Sequence, residues 1–169
     1  KCLLKDMIHF IGIHIFPWDN VSLEVDNLYH SLTTRSHYGA VDAIYRIDLA
    51  ASKKRRWGCK STFMIHHVDA VLETSPDAQF IHLVRDPRDV ALSASKSVFS
   101  PFHPYFNAQL WAKQQREAIA LAQRLTSDQL FTLRYEDLLT DPNTHLNSLC
   151  CFLEVEFNPD MIQFFKGAE

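Results

Sequence analysis

The run Gln79-Phe-Ile-His-Leu-Val84 passes into Arg85-Asp86-Pro87 with no loop between, and this junction narrows the possible folds more than any other stretch. The run is short, rich in strand formers and entered through Ser75-Pro76-Asp77, so it reads as one β-strand. Pro87 suits the first turn of a helix, where its missing N–H costs nothing. The spacing predicts a helix from about Arg88 to Val98 and a longer one from about Tyr105 to Leu125, marked by Leu110, Trp111, Ala118, Ile119 and Leu121. Leu130-Phe-Thr-Leu-Arg134 reads as a second short strand. Strands alternating with longer helices imply parallel pairing and a layered α/β fold. Ligands of such sheets bind beyond the carboxyl ends of the strands. Arg85 and Tyr135 each follow a strand end, which puts both on that edge. Arg56-Trp57-Gly58-Cys59-Lys60 is expected as a further strand, which would bring Lys60 to the same edge.

The rest of the pattern is helical. Helices are expected at about 21–31 with Asn20 as cap, from Tyr38 to Lys53, from Phe63 to Glu73, from Pro142 to Leu153 with Asp141 as cap, and from Pro159 to Phe165. Val41, Ile44, Tyr45, Ile47 and Leu49 would form the apolar side of the second, and Ile65, Val68, Val71 and Leu72 that of the third. Trp111 is expected in the core. Four glycines, with no repeat and no low-complexity linker, suit a helix-rich domain with short connections. A single domain over 1–169 is the expectation, and a chain of 169 residues can bury roughly 70% of its unfolded surface. With 47% hydrophobic and 22% charged residues, wholesale disorder is excluded.

Function classes narrow in the same way. A formal net charge of −3 argues against general nucleic-acid binding but leaves room for a local site for one small anion. Cys2, Cys59, Cys150 and Cys151 form no C-x-x-C pair, so buried free thiols in a reducing, cytoplasmic compartment are expected. No apolar run approaches the ~18 residues of a membrane span. Met7 to Phe16 is apolar but short, and reads as core or an interface segment. His66 and His67 are adjacent on a helix and point apart, and no Cys/His spacing suits zinc, so no metal is expected. Lys53-Lys-Arg-Arg56 reads as a solvated helix end that could also attract an anionic nucleotide. Oligomeric state is not encoded in any of these patterns.

Chemistry concentrates at the junction. A strand delivers Arg85 to the sheet edge, and a helix starts directly after it with free N–H groups and a dipole that favour an anion. Ser93 lies a turn and a half into that helix. An arginine fork and a serine hydroxyl could converge on one phosphate. The competing reading pairs Arg85 with Asp86 or Asp89 and leaves Ser93 as a surface residue.

Phe80-Ile-His-Leu-Val-Arg-Asp-Pro-Arg-Asp-Val-Ala-Leu-Ser93, with its lead-in Ser75-Pro76-Asp77-Ala78-Gln79, resembles the 3′-phosphate motif of sulfotransferases that use 3′-phosphoadenosine 5′-phosphosulfate (PAPS). Leu133-Arg134-Tyr135-Glu136-Asp137-Leu138 followed by Asp141-Pro142 resembles a second segment of that family. The resemblance covers about residues 56–165. It implies that Arg85 and Ser93 hold the 3′-phosphate of PAPS and that Tyr135 lies against the adenine, a contact of ~1–3 kcal/mol by analogy with base stacking. Glu136 and Asp137 then read as helix-start residues, not acid–base catalysts. More loosely, Trp57-Gly58-Cys59-Lys60-Ser61-Thr62 resembles the segment in which relatives place a lysine near the transferring sulfuryl group, which implies a charge-stabilising role for Lys60. Cytosolic relatives carry a catalytic histidine two residues beyond that lysine, where this chain has Thr62. Gly58 to Thr62 also lacks the first glycine of a nucleotide P-loop and has Cys59 at the second.

The resemblance implies a three-layer α/β/α fold with a short parallel sheet, P-loop nucleotide-hydrolase-like and of the sulfotransferase type. It implies transfer of a sulfuryl group from PAPS to a hydroxyl or amine of a small-molecule or carrier-bound acceptor, without a metal. The family's 5′-phosphosulfate loop and its later Gly-rich loop have no counterpart between Lys1 and Glu169, so a fragment of such an enzyme is expected, inactive by itself. Two other readings stay open: a non-catalytic remnant that binds the nucleotide weakly, and a small-molecule kinase of related fold.

Overall fold

The computed structural model describes residues 1–12, 23–96 and 103–167. Its helices are α1 (Cys2–Gly12), α2 (Val25–Ser31), α3 (His37–Ala51), α4 (Val68–Thr74), α5 (Pro87–Ala94), α6 (Pro104–Ala122), α7 (Tyr135–Thr140) and α8 (Pro142–Phe152). The strands are β1 (Phe80–Val84) and β2 (Leu130–Arg134), and 3-10 turns occupy Met64–His67 and Pro159–Gly167. The chain divides into two compact units, Lys1–Pro76 and Asp77–Glu169.

The first unit is helical. Leu4, Leu28, Ala40, Ala43 and Ile44 are buried together, with Ile47 packed against them. Positions 40, 43, 44 and 47 recur at helical spacing, so one stripe of α3 faces this core. Two alanines line the stripe, which lets α2 approach α3 closely. Ser36 caps α3 by accepting the Gly39 N–H at 2.9 Å. A Cβ at position 39 would lie 2.1 Å from the Thr34 carbonyl oxygen, so only glycine fits there. Helix α2 starts at Val25, and the expected cap Asn20 lies outside the described residues. The expected helix from Phe63 is instead a 3-10 turn followed by α4, in which Val68 is buried.

Arg56 to Lys60 is irregular chain, not a strand. The physical reason is the anchoring of Trp57. Its indole stacks on Tyr45 with centroids 4.5 Å apart and planes 7° from parallel. The indole N–H also donates to the Asp42 carboxylate at 3.3 Å. The segment is held by its side chain, not by a neighbouring strand.

In the second unit β1 and β2 pair in parallel, from Phe80↔Leu130 to Val84↔Arg134. Paired residues share a face. His82 hydrogen-bonds Gln115 of α6 on one side of the pair. Phe131 lies 5.3 Å from Phe152 of α8 on the other. This unit is therefore helix, parallel strands and helix, the layered α/β arrangement expected. Leu133 is buried at its centre. Helix α5 ends at Ala94, short of the expected Val98, which lies outside the described residues. Asp141 caps α8 as expected, accepting the Thr144 N–H at 3.2 Å. His103 caps α6 through Nδ1, which accepts the Tyr105 N–H at 3.2 Å.

Of the four cysteines, all free, only Cys150 is buried, and Cys2, Cys59 and Cys151 are exposed. The expectation of four buried thiols fails because consecutive helical residues such as Cys150 and Cys151 point about 100° apart. Among the described residues no cluster of three or more His, Cys, Asp or Glu side chains could hold a metal ion. No helix there is long and apolar enough to cross a membrane.

A candidate anion site at the strand ends

Arg85 and Tyr135 each follow the last residue of a strand, and those last residues, Val84 and Arg134, are register partners. Two adjacent parallel strands thus end side by side and hand over Arg85 and Tyr135 at the same level. The guanidinium carbon of Arg85 lies 4.7 Å from the centroid of the Tyr135 ring. The Arg85 side chain keeps 39% of its surface exposed, so the cation is both held and reachable.

Backbone contacts fix this pair from behind. Trp111 of α6 donates its indole N–H to the Arg85 carbonyl at 3.1 Å. Glu136 accepts the backbone N–H of Asp86 at 2.8 Å. That bond, followed by one from its own backbone N–H, holds the Glu136 carboxyl below its ordinary value. Trp111 was expected as core and Glu136 as a helix-start residue. Glu136 does stand in the first turn of α7 and Trp111 is half-buried, but each is also a tie between elements, and Glu136 spans 50 residues of sequence to make it. No local pattern signals a partner so distant.

The start of α5 differs from the expectation of free N–H groups waiting for an anion. Pro87 has no N–H, and Asp86 occupies the next donor, accepting from the Arg88 N–H at 2.8 Å. Arg88 also wraps onto the same carboxylate, at 2.9 Å through Nε and 2.6 Å through a terminal nitrogen. The Arg88 side chain and then its backbone N–H push the Asp86 carboxyl down to about 2. The helix end is thus neutralised by its own cap. Any anion selectivity rests on the Arg85 guanidinium and neighbouring hydroxyls.

Arg85 itself meets Asp89 at 3.4 Å, one helical turn on. This is the pairing that the competing reading expected, but at a long distance. Ser93 is exposed and stands four residues after Asp89, on the same face of α5 and ~6 Å further along its axis. Arg85 and Ser93 therefore flank one helical face, with Asp89 between them. Lys60 belongs to the first unit, where it is exposed on the irregular segment held by Trp57. Arg85, Ser93 and Tyr135 all belong to the second.

A family model described as the sulfotransferase family matches residues 23–159, a span that contains Lys60, Arg85, Ser93 and Tyr135. Among solved structures, the sulfotransferase domain from the curacin biosynthetic pathway is similar at a TM-score of 0.60 and 28% identity, over 73% of this chain and 47% of that one. The chain thus spans about half the length of that domain. The sulfotransferase domain from the Synechococcus PCC 7002 olefin synthase shares the fold, with a TM-score of 0.59 at 19% identity over 95% of this chain and 68% of that one. No curated protein matches the chain significantly. With the family match running over most of its length and an α/β fold shared with two sulfotransferase domains, the chain belongs to the sulfotransferase family.

Proposed function

We propose that the chain provides the 3′-phosphate and adenine part of a PAPS site in an enzyme that transfers a sulfuryl group to a hydroxyl or amine. The observation that carries this reading is the delivery of Arg85 and Tyr135, in contact, to the carboxyl ends of paired parallel strands. In this reading Arg85 and Ser93 bind the 3′-phosphate and Tyr135 lies beside the nucleoside. A dianionic phosphate has the charge to displace the long Arg85–Asp89 contact. Transfer itself would be an in-line displacement, with catalysis from positioning and from cations facing the leaving phosphate. Lys60 is assigned the charge-stabilising role, and no metal is needed. The likeness to a domain of a biosynthetic pathway supports a biosynthetic intermediate, free or carrier-bound, as acceptor.

Calorimetric titration with adenosine 3′,5′-bisphosphate, 5′-AMP and ATP tests the reading. The bisphosphate should bind tightest, and preference for ATP would favour a kinase-like transferase. Arg85→Ala should remove on the order of 2–5 kcal/mol of bisphosphate affinity. Unchanged affinity in the folded variant would take Arg85 out of the site. Sulfate transfer from labelled PAPS, lowered by Lys60→Ala, would establish turnover by this chain, and no transfer would support a binding remnant.

A further inference from the structure

We infer that Tyr135 is a positioning residue that acts through Arg85, holding the guanidinium where an anion can reach it. This rests on the donor-site reading above and changes what the tyrosine contributes to it. The guanidinium carbon stands 4.7 Å over the ring centroid, inside the range of a cation–π contact. The Arg85 Nε is shielded from solvent and has no hydrogen-bond partner among the described residues. A buried guanidinium nitrogen ordinarily finds an acceptor. Here the aromatic ring takes that place, because its electron-rich face attracts the cation without accepting a conventional hydrogen bond. Among the described residues, Asp89 is the acceptor that reaches the Arg85 side chain, at 3.4 Å from a terminal nitrogen, and it leaves Nε uncovered.

The contact is built into the backbone. Strand register sets Arg85 beside Tyr135. Trp111 fixes the Arg85 carbonyl, and Glu136, the next residue after Tyr135, fixes the Asp86 N–H. These ties hold the two backbones side by side and leave the guanidinium's own torsions to be restrained by the ring. The ring face that carries the guanidinium is also closed to an adenine stacking on that side. Loss of the ring should therefore show up chiefly at the 3′-phosphate, which Arg85 would bind, and less at the base.

Two ligands that differ only in that phosphate separate the possibilities. Tyr135→Leu should weaken adenosine 3′,5′-bisphosphate roughly tenfold, in line with a partly desolvated cation–π contact. It should weaken 5′-AMP far less, and Tyr135→Phe, which keeps the ring, should restore the bisphosphate affinity. Equal weakening of both ligands would overturn the inference in favour of a direct adenine contact. Unchanged bisphosphate binding in Tyr135→Leu would overturn it as well. A ligand-free measurement stands beside the titration: the Arg85 Nε–H resonance in arginine-labelled protein, identified by its loss in Arg85→Lys. Ring shielding should move it upfield, and Tyr135→Leu should return it to the ordinary arginine position. An unshifted resonance in the unsubstituted chain would overturn the inference whatever binds. If the unsubstituted chain does not prefer the bisphosphate over 5′-AMP, the donor reading fails, and this resonance alone decides whether Tyr135 holds Arg85.

Discussion

At the scale of single residues, Asp86 shows how one side chain can remove a site that the backbone offers. Its carboxylate accepts the first available N–H of α5 and a two-point contact from Arg88. These bonds favour the ionised form, so the carboxyl sits at about 2, below the 3.8 of a free aspartate. A depressed folded pKa stabilises the fold above the unfolded pKa, and that contribution fades as pH falls through the folded value. The Asp86 side-chain carbonyl resonance should titrate near pH 2, and Arg88→Ala should move the midpoint upward. A midpoint already at 3.8 in the unsubstituted chain would mean that the cap and ion pair do not persist in water. The positions of Arg85 and Tyr135 just after strand ends, and of Ser93 within α5, were legible in the sequence because each has a fixed spacing from a strand end or helix start, whereas the nucleotide roles proposed for them come from the family resemblance. Trp111 and Glu136 were not, because their partners are 26 and 50 residues away and spacing says nothing about contacts that only folding creates.

At the scale of elements, both strands and most helices could be read, since Pro and capping residues mark their ends: Pro87 for α5, and Asp141 with Pro142 for α8. The failure at Arg56 to Lys60 has a definite origin. A tryptophan among basic residues resembles an edge strand in composition, yet here it is a side-chain anchor on α3. Asp42, the residue that receives it, is 3% exposed and also accepts from Arg46 at 2.6 Å. The two partners of that ion pair should respond unequally to truncation. Arg46→Ala leaves a buried carboxylate that keeps the 3.3 Å bond from the Trp57 N–H, whereas Asp42→Ala frees an arginine that is already 59% exposed. Leaving a buried charge uncompensated costs more than rehydrating a surface one. Arg46→Ala should therefore lower stability by ~2 kcal/mol and exceed Asp42→Ala in urea denaturation. The reverse order would show that the carboxylate gains solvent when Arg46 is removed.

At the scale of the whole molecule, the shifted groups all limit the same pH window. Burial lowers the His82 pKa from its ordinary 6.5, although the hydrogen bond that its ring N–H donates to the Gln115 side chain opposes this. The unfolded chain then binds the extra proton more readily, so stability is full above 6.5 and declines as pH falls below it. The depressed carboxyls Asp26, Asp86, Glu136 and Asp141 act with the same sign at lower pH. On the alkaline side, burial raises Tyr38 and Tyr45 above 10.0. A raised folded pKa keeps its contribution below the unfolded value and loses it as pH climbs past it. Denaturation midpoints followed across pH should therefore form a plateau between 6.5 and 10.0, with an acid limb in two stages. His82→Gln should erase the upper stage alone, because the carboxyls lie elsewhere and keep their partners. An acid limb that starts only below pH 5 in the unsubstituted chain would show that His82 is not buried between β1 and α6. It would also call into question the covering of this face of the strand pair, on which the placement of Arg85 depends.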